Sequence, residues 1–119
     1  IREIGSGAFA AAESAQAVAA FDETGYRAQW RSLVSPDQQP PAVDFATESA
    51  VFILGGQRPT GGYSVVVNGA ALEGETLVVD AIVEGPPAGA ITTQVITSPY
   101  AVIAVKSRAF RNVRWSAEK

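Results

Sequence analysis

The longest apolar stretch of the chain is interrupted once, near its middle. Val51-Phe52-Ile53-Leu54 is followed by Gly55-Gly56-Gln57-Arg58-Pro59-Thr60-Gly61-Gly62 and then by Tyr63-Ser64-Val65-Val66-Val67-Asn68. Two β-rich runs around a turn with four glycines and a proline predict a β-hairpin with an elaborated tip. Pro59 presets one turn position, and Gly61 and Gly62 accept positive φ. Residues 76–83 form a further apolar strand, and residues 91–97 alternate Thr with apolar side chains and also read as a strand. Residues 100–106 put Tyr100, Val102 and Ala104 on one face and Ala101, Ile103 and Val105 on the other. Shorter strands are expected at 2–4 and, as an edge, at 110–115.

The 3.6-residue period shows once. Tyr26, Trp30, Leu33 and Val34 fall on one helical face behind Asp22, a good N-cap, and Glu23, an acid in the first turn. This predicts a helix over 23–34, stopped by Ser35-Pro36, with Tyr26 and Trp30 as core anchors. Residues 16–21 (Gln-Ala-Val-Ala-Ala-Phe) suit a helix or a buried strand equally by pattern. Residues 37–42, 69–75 and 84–89 read as loops or turns. Asp44, between Val43 and Phe45, is expected to be partly buried and to cap a turn or meet an arginine. The fold class that follows is mainly β: an antiparallel β-sandwich or rolled sheet with one amphipathic helix, with α+β as the alternative.

Composition narrows the function classes. The chain has 119 residues, enough for one domain with its own core, and a net charge of −3 is too small to argue for nucleic acid or a membrane surface. No apolar run approaches the ~20 residues of a membrane span. The chain starts at Ile1 and holds no Met, so it is read as a trimmed piece of a longer product; any membrane attachment would come through a removed or absent N-terminal anchor. With neither His nor Cys, the commonest general base, nucleophile pair and zinc ligands are missing. No catalytic, cofactor or metal site is expected. An enzyme would have to work with Asp44, Asp80, Glu84, a serine or Lys106.

Gly56-Gln-Arg-Pro-Thr-Gly61 has the glycine spacing of a phosphate loop, but Gly62-Tyr63 stand where Lys and Ser/Thr are required. Lys106, Arg108, Arg111, Arg114 and Lys119, opposed only by Glu118, make the C-terminal end basic, with Phe110 and Trp115 interleaved. A charged edge strand accounts for them better than a nucleic-acid patch.

Val43-Asp44-Phe45, Gly56-Gln-Arg-Pro-Thr-Gly-Gly-Tyr-Ser-Val65 and Thr97-Ser-Pro-Tyr100 carry a resemblance. Together with Trp30, Pro86 and Pro87 they stand in the order seen in the PrcB C-terminal domain family, and the likeness runs over 16–106 within a single domain, 1–119. It implies a strand at 16–21, before the helix. It also implies an exported, often lipid-anchored bacterial protein of the cell envelope, periplasmic, outer-surface or secreted. The family's namesake binds and stabilises a secreted serine protease complex. Residues 58–63 are also similar to the Asn-Pro-Thr-Thr-Gly-Phe/Tyr loop of chagasin-type cysteine-protease inhibitors, with Arg for Asn and Gly for the second Thr. The expectation is a non-enzymatic, protein-binding module, its partner a protein such as a protease. The contact surface would comprise Arg58, Pro59, Thr60, Gly61, Gly62 and Tyr63 with the neighbouring Pro99 and Tyr100. The alternative is a chagasin-like inhibitor using residues 59–63. Open sheet edges make a homodimer a further expectation.

Overall fold

A computed structural model describes residues 1–117; Glu118 and Lys119, part of the basic end, lie outside the described residues. In chain order the elements are β1 (Arg2–Gly7), β2 (Ala15–Ala20), α1 (Glu23–Leu33), β3 (Ser49–Gly55), β4 (Ser64–Glu73), β5 (Thr76–Glu84), β6 (Tyr100–Val105) and β7 (Asn112–Ala117). One sheet has the order β1-β6-β3-β2 and the other β4-β5-β7. The sheets face each other and α1 covers the outer face of the first, so the layers are helix, four strands, three strands.

The alternation along each central strand sorts its side chains between two cores. Ala50, Phe52 and Leu54 of β3, with Val102 and Ala104 of β6, pack against Tyr26 and Trp30 of the helix. Val51, Ile53, Ala101, Ile103 and Val105 turn the other way and meet Val65, Leu77, Val79 and Ala81 of the second sheet. β6 therefore divides its faces as its pattern predicts. Every residue of β3 is buried, and that explains its unbroken apolar run: a strand covered on both sides has no polar face to show.

The helix begins where its cap predicts. Asp22 Oδ1 accepts the Gly25 N–H at 2.7 Å, and Glu23 meets Arg27 one turn on at 2.6 Å. It ends as Val34 and Ser35 both donate to the Trp30 carbonyl. Tyr26 stands 5.4 Å from Phe45, 6.1 Å from Phe52 and 6.3 Å from Trp30 between ring centres, and its hydroxyl donates to the Pro41 carbonyl at 2.6 Å. The two helix aromatics are core anchors.

Several expectations are corrected. Residues 51–68 are not a hairpin. β3 already has β2 on one edge and β6 on the other, so the chain leaves the sheet at Gly55 and crosses to the second, where β4 pairs with β5. The hairpin lies one element later. β4 continues through residues 69–73, with a register shift between Val67 and Gly69, and the turn is Gly74-Glu75 at φ +65° for the glycine. The sandwich is not wholly antiparallel, because β7 runs parallel to β5. Residues 91–97 form no strand and make only an isolated bridge at Thr97. Residues 16–21 are mostly strand, paired with β3 over Gln16–Ala20. In the basic end, Phe110 is buried and the Trp115 indole donates to Ala81 O at 2.8 Å. Neither ring lies open for base stacking.

Asp44 is exposed and caps a turn, accepting from Ala46 N at 3.1 Å. Of the two expected roles it takes the turn cap, and the nearby arginine, Arg2, binds Glu48 instead. Glu48, only 4% exposed, accepts from Asp44 N at 3.0 Å and from Arg2 Nη2 at 3.2 Å. The backbone bond first, then Arg2, holds its carboxyl below the ordinary value of 4.5. A depressed carboxyl stabilises the fold above its unfolded pKa, and that contribution is lost as pH falls through the folded one. Glu48→Gln should cost about 1–2 kcal/mol at neutral pH. It should also flatten the decline of the melting temperature below pH 4.5, followed by circular dichroism. Tyr26 behaves oppositely at high pH. Burial, then Glu23, pushes its hydroxyl up to about 12, so its stabilisation is complete below pH 10 and lost as pH rises towards 12. Tyr26→Phe should lessen the alkaline loss of stability in the same measurement.

Candidate protein-contact surface at one end of the sandwich

Three connections meet at one end of the molecule. Residues 8–14 join β1 to β2, residues 56–63 join β3 to β4, and residues 85–99 join β5 to β6. The strand registers bring them together, since Gly55 stands opposite Ala15, Leu54 opposite Tyr100, and Ser64 opposite Glu84.

Main-chain hydrogen bonds lock the middle connection to both others. Gly55 N donates to Pro99 O at 2.8 Å, Gln57 N to Glu13 O at 3.1 Å and Gly61 N to Thr93 O at 2.9 Å. Arg58 and Thr97 exchange a pair at 2.8 and 2.9 Å, and Thr97 Oγ1 donates to Thr60 O at 2.7 Å. Two glycines permit this fit. Gly56 has φ +80°, and a Cβ on it would stand 2.9 Å from Ala15 N. Gly62 has φ +88°, and a Cβ there would stand 2.9 Å from Pro86 Cβ. Other residues avoid such φ values, and backbone and proline ring cannot yield.

Within this frame the sequence-predicted surface divides. Pro59 and Gly62 are exposed, Arg58, Thr60 and Tyr63 are half-buried, and Gly61 is buried. Arg58 Nη2 donates to Gly55 O at 2.8 Å, its Cζ stands 5.8 Å from the centre of the Tyr63 ring, and its buried Nε has no acceptor among the described residues. The guanidinium thus braces the loop as well as bordering its surface. Pro99 is fully buried against Gly55, and Tyr100 packs with the helix-side core. Both hold the end together from within, so Pro99 offers a partner no contact.

The missing part of the surface comes from residues that pattern reading placed in a strand or passed over. Phe9 is 66% exposed, Ile91 fully exposed, Val95 44% and Ile96 65%. Ile96 lines a shallow notch with Gln57, Arg58 and Pro59. Phe9 bridges to Ser98, beside the Arg58–Thr97 pair. No charged residue occurs from 85 to 105, and Arg58 is the one charge in 55–63. That charge-free stretch was the signal available in the sequence. Of the groups an enzyme would need, Asp44 and Lys106 both adjoin Glu48, while Asp80 and Glu84 belong to the second sheet. Among the described residues no cluster of Asp or Glu could hold a metal ion.

A family model described as PrcB C-terminal matches residues 49–106. Over this stretch the chain is similar to the PrcB C-terminal domain. The stretch runs from β3 to the residue after β6 and so contains two of the three connections at the site. Trp30, Asp44 and Phe45, which shared in the resemblance, lie ahead of it. No curated protein and no solved structure matches the chain. Among the described residues no helix is long and apolar enough to cross a membrane.

Since Gly56 and Gly62 are fixed by backbone shape and close packing, Gly62→Ala and Gly56→Ala should each lower stability by roughly 1–3 kcal/mol. Gly89→Ala, with open space around its Cβ despite φ +80°, should cost less than either. Urea unfolding of the three variants checks the order.

Proposed function

We propose that this protein is a non-enzymatic, protein-binding module of the bacterial cell envelope that stabilises a secreted protease complex. The similarity to the PrcB C-terminal domain supports association with a protease. The observation that carries the binding role is the gathering of Phe9, Ile91, Val95 and Ile96 around the Arg58-Pro59 knuckle on an end with almost no charge. Large apolar side chains with an arginine among them, and few charges, are the composition of an interface centre. The connections beneath are hydrogen-bonded to one another, so docking costs little ordering entropy. The inhibitor reading has no such observation of its own, because Gly61 is buried and Tyr63 lies half-buried over Gly85, where a cleft-plugging tip would project.

Crosslinking of the native full-length product, followed by capture of its neighbours, tests this. Ile96→Asp should reduce recovery of the crosslinked partner about tenfold with the melting temperature unchanged. Arg58→Ala should weaken capture and lower the melting temperature slightly, since it also frees the Gly55 carbonyl. Full capture by Ile96→Asp and Arg58→Ala alike sinks the proposal.

A further inference from the structure

Residues 85–99 form a long connection for a compact domain, where about four to six residues is usual. Residues 91–97, Ile-Thr-Thr-Gln-Val-Ile-Thr, are strand formers, yet they stand in no ladder. One side of this segment is already bonded: Thr93 O accepts from Gly61, and Thr97 pairs with Arg58. In an extended chain successive residues turn their main-chain groups to opposite sides. By this alternation the main-chain groups of Thr92 and Gln94 are the set turned away from Gly61, while the Thr92 methyl packs at Gly62. At Ser98 that outer side is taken, because Ser98 N donates to Ala8 O at 2.7 Å and Ala10 N to Ser98 O at 2.9 Å. At 92–94 it is open. Among the described residues no N–H from 91 to 96 has a protein acceptor, and the Thr92 carbonyl is covered only by its neighbour, Gln94 Nε2, at 3.4 Å. The chain then bends at Val95.

We infer that residues 92–94 are an open strand edge to which an extended segment of the partner protein adds through main-chain hydrogen bonds. The inference rests on the protein-binding reading above and names what that surface takes. An extended strand supplies the donors and acceptors that Thr92 and Gln94 lack. Its alternate side chains are apolar and lie against the exposed Ile91, Val95 and Ile96. The added strand is uncharged, because residues 85–105 hold no ion to pair with one and an unpaired charge buried there is costly.

The probe is a displayed library of random peptides of about ten residues, selected on the wild-type domain and counter-selected on an unrelated β-sandwich. Enriched peptides should alternate apolar residues and lack charge at their centre. In fluorescence anisotropy, N-methylating alternate residues of such a peptide should weaken binding about tenfold in one register and little in the other, because only one set of N–H groups faces the edge. Gln94→Pro, which removes an exposed N–H that bonds to nothing, should weaken binding to a similar extent at an unchanged melting temperature. Equal binding by Gln94→Pro, indifference to N-methylation in both registers, or no enrichment over the control domain would overturn the inference. So would a wild-type dimer in sedimentation that Gln94→Pro dissociates, since the edge would then take a second copy of this chain. In the crosslinking experiment, loss of the partner by Ile96→Asp but not by Gln94→Pro leaves the contact surface standing and removes the added strand. Retention by both, and by Arg58→Ala as well, removes the contact surface itself.

Discussion

β3 buries both of its faces, and the rest of the molecule answers to that. Phe52 and Leu54 need a cover on one side, and Val51 and Ile53 need one on the other. The helix with Tyr26 and Trp30 supplies the first, and the second sheet supplies the other. Each fully buried large apolar side chain contributes roughly 1.5–3 kcal/mol. An exposed pair such as Glu23–Arg27 contributes about 0.3–0.5 kcal/mol. The layering is therefore decided by apolar coverage of this strand, and surface ion pairs adjust it only slightly.

A strand with both edges paired and both faces covered must send its chain elsewhere when it ends. That is why residues 55–63 form a crossover between sheets and carry so much hydrogen bonding of their own. The crossover rests on Pro99 and Thr97 along one flank and on Glu13 along the other. Its rigidity is a consequence of the core beneath it. The same crossing leaves 85–99 to travel from the end of β5 to the start of β6 across the top, with Ile91, Val95 and Ile96 turned outward. The candidate surface is thus where two sheets exchange chain and where the apolar residues of the exchanging loops find no core to enter.

Legibility of the site followed how local its cause was. Of the two glycines read as positive-φ positions, Gly62 has that conformation and Gly61 does not; Gly56 has it instead, and what Gly56 and Gly62 approach, Ala15 and Pro86, is distant in the chain. Arg58 was named for its chemistry, but its engagement with Gly55 O and Tyr63 depends on the shape of the folded loop. Pro99 and Tyr100 were named for their nearness to the knuckle, but that Pro99 is fully buried beside Gly55 and Tyr100 half-buried beside Gly7 depends on β3 and β1. Ile91, Val95 and Ile96 were missed because Thr alternating with Ile and Val signals a strand, and nothing local shows that this segment finds no ladder to join.

The sequence by itself determined the helix Glu23–Leu33 with its Asp22 cap, one residue shorter than the 23–34 expected, the strand at residues 76–83, the two-faced division of β6 and the core role of Tyr26 and Trp30. These follow from periodicity, capping and burial patterns that act over one or two turns or a few strand residues. Which strands pair was settled only in the tertiary structure. The crossover in place of a hairpin and the parallel seating of β7 on β5 both depend on which edges were still free once β2 and β6 had flanked β3. Edge availability is a property of the whole assembly, and no window of sequence contains it.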